Sequence, residues 1–221
     1  MKIKFTIIVL LLLQLSLFAQ KEYVNDSLNT SLSYRKFNGF LCILTDITWN
    51  ERMEFTSAGM GGALLFADKY YIGAYGVGLM STLKKSNILI DNIRGDFQLN
   101  YAHGGLWLGM FDAPCKGIEN SFSLKFGWGA MFMYNPNYII DYNKARTEFF
   151  VITPNFETSV LITNWLKINI GVGVRFLAGI SSQFKNSNGN TANIYNLSDF
   201  EGFVTSFSLS FGSFYNKSAL K

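Results

Sequence analysis

Between Ser121 and Tyr134 every second residue is apolar and mostly large: Phe122, Leu124, Phe126, Trp128, Ala130, Phe132 and Tyr134. The residues between them, Ser121, Ser123, Lys125, Gly127, Gly129, Met131 and Met133, are small, polar or flexible. Side chains that repeat with period two sort onto the two faces of a β-strand, whereas a helix would scatter both sets around its axis. The pattern returns from Leu166, where Leu166, Ile168, Ile170, Val172, Val174 and Phe176 oppose Lys167, Asn169, Gly171, Gly173 and Arg175. It returns again where Phe203, Thr205, Phe207, Leu209 and Phe211 oppose Val204, Ser206, Ser208, Ser210 and Gly212.

Five further segments read as strands. Tyr71, Gly73, Tyr75, Val77 and Leu79 alternate with Ile72, Ala74, Gly76 and Gly78, and Phe97, Leu99 and Tyr101 alternate with Asp96, Gln98 and Asn100. From Phe150 to Ile162 the apolar set is Ile152, Phe156, Val160 and Ile162, with Pro154 predicting a bulge or a strand end. Gly39 to Thr48 and Glu54 to Phe66 have less distinct faces and complete a count of eight.

What lies outside these strands decides where they sit. The chain opens MKIKFTIIVLLLLQLSLFAQ, with Lys2 and Lys4 before an apolar run from Phe5 to Phe18 and then Ala19. That order predicts a cleaved signal peptide over 1–19, and the run is shorter than the roughly 20 residues of a membrane helix. An N-terminal periplasmic segment (20–38), a barrel (39–215) and a tail (216–221) follow. Setting aside Lys2 and Lys4 leaves 17 basic residues against 15 acids, so the formal net charge falls from +4 to +2. Without a basic run beyond Lys84 and Lys85, nucleic acid is excluded as a partner.

Only 15% of residues are charged and 49% are hydrophobic, against about 25% charged in an ordinary soluble domain. No later run is long enough for a membrane helix, so a chain this apolar crosses a bilayer only as a closed barrel. The expected fold is all-β, an eight-stranded antiparallel up-and-down transmembrane barrel in the outer membrane. A soluble sandwich or lipocalin-like barrel has the same alternation with the faces exchanged. The face built of Gly, Ser, Asn and Ala suits a cramped lumen better than a solvated surface.

Short connections at 66–70 and 163–165 alternate with long ones near 81–94, 135–147 and 181–199, the arrangement of periplasmic turns and outer loops. The link from Phe111 to Glu119 is longer than such a turn requires. Tyr70, Tyr71 and Trp165 at one rim and Trp49, Tyr134 and Tyr138 at the other are placed as interfacial aromatics. Cys42 and Cys115 form neither a disulfide framework nor a metal motif, and their pairing stays open.

The inward faces are expected to carry Asp96, Lys125, Glu157, Lys167 and Arg175, a mixed-sign set that a narrow lumen tolerates only as a paired structural network. Neutralising Glu157 and Arg175 singly and together separates that reading from a proton or substrate site. The lone His103, in YAHGGLWLG, has no partner spacing that specifies catalysis. No cofactor, metal or catalytic residue is expected. The glycine-rich pieces at 59–62, 73–78 and 171–174 match neither GxGxxG nor a P-loop and lie inside strands.

The stretch GMGGALLFADKYYIGAYGVGL, followed by LNYAHGGLWLG and SLKFGWGAM, resembles a family of small, functionally uncharacterised outer-membrane barrel proteins of Gram-negative bacteria. The resemblance covers about residues 39 to 214 and implies location and fold, with outer-membrane lipids and the barrel-assembly machinery as partners. The role read from the chain is structural or surface binding through the outer loops. A narrow conduit for small solutes and a lipid-modifying enzyme are the alternatives.

Overall fold

The computed structural model describes residues 38–51, 53–66, 69–90, 93–115, 117–135, 146–179, 183–185, 191–193, 197–212 and 214. The expected signal peptide, most of the segment 20–38 and the tail 216–221 lie outside these residues. Eight long strands form the frame: β1 (Asn38–Trp49), β2 (Glu54–Phe66), β3 (Tyr70–Leu79), β5 (Ile93–Cys115), β6 (Ile118–Tyr134), β7 (Arg146–Thr163), β8 (Leu166–Ala178) and β11 (Gly202–Gly212). Each pairs antiparallel with its neighbour, β11 returns to β1, and β3 pairs with β5 to close the ring. Closure leaves no open edge between these strands.

The remaining strands are additions at one end. β4 (Leu83–Ile90) folds back on the upper part of β5, so much of the long connection expected near 81–94 is a β-hairpin. A short pair, β9 (Gln183–Lys185) and β10 (Thr191–Asn193), lies within the last long connection. The 23 residues of β5 give a strand roughly 75 Å long at about 3.3 Å per residue. β1, β3 and β11 have 12, 10 and 11 residues against 17 and 18 in β6 and β7, so the wall of β5 to β7 stands taller than the rest of the ring.

Two local expectations are overturned. Pro154 neither ends nor bulges β7, because the register against β6 runs unbroken through Leu124–Pro154 and the pairing with β8 resumes at Asn155–Gly173 in the same register. Proline removes a donor without forcing a shift when its neighbours hold the strand. The link after Phe111 is also a tight turn: β5 continues to Cys115, β6 begins at Ile118, and an irregularity between Asp112 and Cys115 absorbs the difference.

Outside, the barrel is apolar. Leu41, Met60, Ile72, Phe122, Trp128, Ile170, Phe176 and Phe203 are all exposed large side chains spread around the wall. Inside, two apolar clusters are separated by polar side chains. The cluster at the loop end gathers Phe55, Phe97, Leu99, Tyr101, Met131, Met133, Phe149, Val151, Leu177 and Phe200. The cluster toward the short turns gathers Phe40, Cys42, Leu44, Ala63, Tyr71, Tyr75, Val77, Trp107 and Phe214. Glycine makes the space for these rings: a Cβ at Gly129 would lie 2.2 Å from the Phe149 ring, and one at Gly109 2.2 Å from the ring of Tyr71.

Tyr71 is thus a lumen residue, 3% exposed, and not part of an aromatic girdle. Tyr70, Trp165 and Trp49 do stand outside, at 52%, 57% and 40% exposure, while Tyr138 falls outside the described residues. Among the described residues no helix is long and apolar enough to cross a membrane, and none is needed where strands form the wall.

Candidate functional site: the charged layer of the lumen

Inward positions of β1, β6, β7, β8 and β11 meet between the two apolar clusters. Arg175, fully buried, donates from Nη2 to Asp46 Oδ2 at 3.0 Å and from Nη1 to Thr48 Oγ1 at 2.8 Å. Lys125 Nζ stands 4.0 Å from Asp46 Oδ1 and 5.2 Å from the centroid of the Trp107 ring. One carboxylate therefore bridges two cations, and an aromatic face takes part of the second charge. The guanidinium also lies 6.0 Å from the Phe55 ring, at the base of the loop-end cluster.

Glu157 is held differently. Asn155 Nδ2 donates to its Oε1 at 2.7 Å and Ser206 Oγ donates to the same oxygen at 3.4 Å, with Asn155 also reaching Ser206 at 3.0 Å. Below it Asn169 Nδ2 donates to Ser208 Oγ and Ser210 Oγ at 2.7 and 2.8 Å. Serines on β11 thus receive amide donors from β7 and β8, which explains why this strand's inward face is built of serine. Lys167 pairs with Glu119 at the short-turn end, its ammonium 4.0 Å from the centroid of Phe214 and 4.9 Å from that of Phe111.

Four of the five charged residues read from the sequence, Lys125, Glu157, Lys167 and Arg175, are buried in the lumen. Asp96 is not among them. It is exposed on the outer side of β5, where its Oδ1 accepts from the Asn87 N–H at 3.2 Å. Its strand places Phe97, Leu99 and Tyr101 inward, and Asp96 follows onto the opposite face. Nor do Glu157 and Arg175 form a direct pair: the partner of Arg175 is Asp46, which the sequence reading missed. The signal was present, since Asp46 is the single charge in the run from Phe40 to Trp49 and shares its face with Leu44 and Thr48.

His103 points into the lumen, 5% exposed, with Tyr75 OH 3.2 Å from its Nδ1 and the rings of Tyr101 and Phe149 around it. The glycines after it bring strands close together without a bulge, because the pairing with β6 is continuous from Gln98 to Asp112. Asp46 Oδ1, Arg175 Nε, Tyr101 OH and His103 Nε2 are buried without a hydrogen-bond partner among the described residues. Cys42 is a free, buried thiol, and the side chain of Cys115 lies outside the described set. Among the described residues no three His, Cys, Asp or Glu side chains gather as a metal site.

A lumen filled in this way leaves little room. The void lined by Phe40, Tyr71, Trp107, Glu157, Lys167 and Phe214 measures about 10 Å³, about the space of one water. The charges can fix the strands' relative positions and the shape of the interior. Among the described residues, the void beside Glu157 and Lys167 is too small for a substrate.

No protein-family model matches the chain, and no curated protein matches it. Among solved structures it is similar in outline to Neisserial surface protein A, at 9% identity and a TM-score of 0.47, covering 80% of this chain and 94% of that one. It is similar also to a major outer membrane protein of Thermus thermophilus, at 7% identity and 0.47, covering 79% and 99%. The outer membrane protein OprG of Pseudomonas aeruginosa follows at 8% identity and 0.43, covering 79% and 95%. At TM-scores below 0.5, the eight-stranded closed barrel rests on this chain's own strand register, from β1 paired with β11 round to β3 paired with β5.

Proposed function

We propose that this chain is an outer-membrane barrel whose work is done at the cell surface by the loop end, with the barrel as a rigid anchor. The observation that carries the reading is the combination of an apolar outer wall with a lumen packed by two aromatic clusters and an ion-paired layer between them. Apolar side chains standing outward around a closed barrel find their low-energy surroundings in lipid. A packed lumen disfavours passage of solutes. The short turns and the first and last strand ends lie together and face the periplasm in this reading, and the tall wall of β4 to β7 projects outward.

The tall wall supports the same orientation. Above the apolar band, the outer side of β5 carries Asp96, Gln98 and Asn100, and the outer side of β7 carries Arg146 and Glu148, while the inside stays apolar. That is the polarity of a water-soluble structure, and it holds the outer loops clear of the headgroups. Catalysis has less support: the His103 ring is buried against Tyr75, Tyr101 and Phe149.

The test is migration on gels of the membrane-fractionated protein with and without heating, together with liposome swelling. The reading expects an SDS-resistant, heat-modifiable band in the outer-membrane fraction and swelling no faster than that of empty liposomes. A wholly soluble periplasmic species would overturn the anchor, and solute-dependent swelling would restore the conduit. Altered lipid A on mass spectrometry that disappears with His103→Ala would restore the enzyme.

A further inference from the structure

Two phenylalanines that flank one strand stop the two ends of the lumen. Phe200 stands just before β11 and Phe214 just after it, 0% and 6% exposed. Between them the inward face of β11 is Val204, Ser206, Ser208 and Ser210, so each ring closes one end of a mostly polar stripe.

At the loop end the stop is clamped. Asn50 Nδ2 donates to the carbonyl oxygens of Ser198, Asp199 and Glu201, on both sides of Phe200, and Glu201 Oε1 accepts from the Leu177 N–H at 3.0 Å. The ring of Phe200 lies 5.5 and 5.6 Å from the centroids of Phe55 and Tyr101. The short-turn end is closed more lightly. Phe214 lies two residues past Phe40–Gly212, the last pair that β11 makes with β1. Among the described residues its N–H donates to the Asn164 carbonyl oxygen at 3.2 Å, and its ring centroid is 4.0 Å from Lys167 Nζ and 6.4 Å from the centroid of Phe40. Lys167 is paired with Glu119, so its ammonium is fixed as a seat for the ring. Phe214 can swing out without parting any strand pair, and such segments beyond the ladder are the first to open.

Behind the ring is the void of about 10 Å³ that Glu157, Lys167, Asn169 and Ser210 line. We propose that Phe214 is a stopper that seats and releases at the short-turn mouth. Seated, it keeps the carboxylate of Glu157 and the ammonium of Lys167 from water; released, it admits water to both. The chamber so opened is blind, because Phe200 and the loop-end cluster still close the other end. This goes beyond the anchor reading and does not depend on what surrounds the wall.

The chain carries its own probe of the chamber. Cys42 is a free thiol, 2% exposed, and stands opposite Ser210 in register. The experiment follows modification of Cys42 by methyl methanethiosulfonate in the full folded chain in detergent, with Cys115→Ser removing the second thiol and near-UV circular dichroism reporting the fold. The rate is expected to stay flat across low urea, because releasing one ring exposes little surface. Lys167→Gln takes the charge from the seat and is expected to raise the rate about tenfold, as one partly desolvated cation–π contact implies. Phe214→Ala should raise it further, and Phe200→Leu, at the clamped end, should leave it within about twofold. A rate that climbs with urea as steeply as unfolding does would overturn the stopper, as would a rate that Lys167→Gln leaves unchanged. Equal acceleration by Phe200→Leu would also overturn it, by showing a general loosening. If Phe214→Ala fails to fold, Lys167→Gln decides. Heat-modifiable migration tests the anchor separately, so either reading can fail alone.

Discussion

The two walls of the lumen are built from different chemistry. Between the two apolar clusters, the inward residues on the β7, β8 and β11 side are Asn155, Glu157, Lys167, Asn169, Arg175, Ser206, Ser208 and Ser210, and the outward ones, among them Phe156, Ile170, Val172, Phe176, Phe203 and Phe207, are mostly apolar. On the β3 and β5 side the inward residues are Tyr71, Tyr75, Phe97, Tyr101 and Trp107, and many of the outward ones are Gly, Ala or polar. Each wall is intelligible only from the other. In a narrow barrel large rings fill the lumen by packing edge to face, as Phe40, Tyr71 and Trp107 do at 5.5 to 5.6 Å between centroids, and they need small partners beside them, as Gly109 is to Tyr71. The polar wall supplies ion pairs and amides, and the aromatic wall supplies volume.

The sharpest way to break this division is at the polar wall. Arg175→Met leaves Asp46 buried with its nearest cation 4.0 Å away at Lys125, and removing one partner of a buried pair costs about 3–5 kcal/mol. The urea midpoint of the heat-modifiable band should fall accordingly. Adding Asp46→Asn should recover most of the loss, because the uncompensated charge goes with it. A double variant no more stable than the single would show that Asp46 and Arg175 are not coupled, and the ion pair would lose its place as the organiser of this wall.

The same contrast explains which parts of the structure the sequence makes legible. β6, β8 and β11 announce both their period and their facing, since one set is bulky and apolar and the other is Ser, Gly, Asn, Lys or Arg. β5 announces only its period. Phe97, Leu99 and Tyr101 look lipid-facing and Asp96 lumen-facing, yet above the apolar band the surroundings of the wall are polar and the facing reverses. Period two fixes which residues share a face but leaves the direction of that face to tertiary structure. Asp46 escaped for a related reason: β1 is apolar on both faces through Leu44, with Phe40, Cys42 and Leu44 filling the aromatic half of the lumen and Leu41 and Ile43 exposed. The pairing of Asp46 with Arg175 spans 129 residues, and no local pattern carries that information.

A smaller effect sharpens the comparison from the aromatic side. Gly129 sits on β6 beneath the Phe149 ring, which stacks on Tyr101 at 5.1 Å between centroids. Gly129→Ala would place a methyl 2.2 Å from that ring and 2.7 Å from the Ala102 carbonyl oxygen, and overpacking of this kind costs about 1–3 kcal/mol. Phe149→Leu in the same background should return part of the loss by vacating the space. If Gly129→Ala matches the wild type in urea, the rings of the loop-end cluster are looser than their stacking implies.

The smallest effect belongs outside both walls. Arg146 and Glu148 form an ion pair about half open to solvent, and such pairs contribute below about 1 kcal/mol. Glu148→Gln should therefore leave the urea midpoint within error, in contrast to Arg175→Met, although both break an arginine–carboxylate pair of similar length at 2.7 and 3.0 Å. Burial makes the difference, because water replaces the lost partner of Arg146 but cannot readily reach the carboxylate of Asp46. A midpoint shift for Glu148→Gln as large as that for Arg175→Met would mean that burial does not set the worth of these two pairs, and the contrast between lumen and surface would fall.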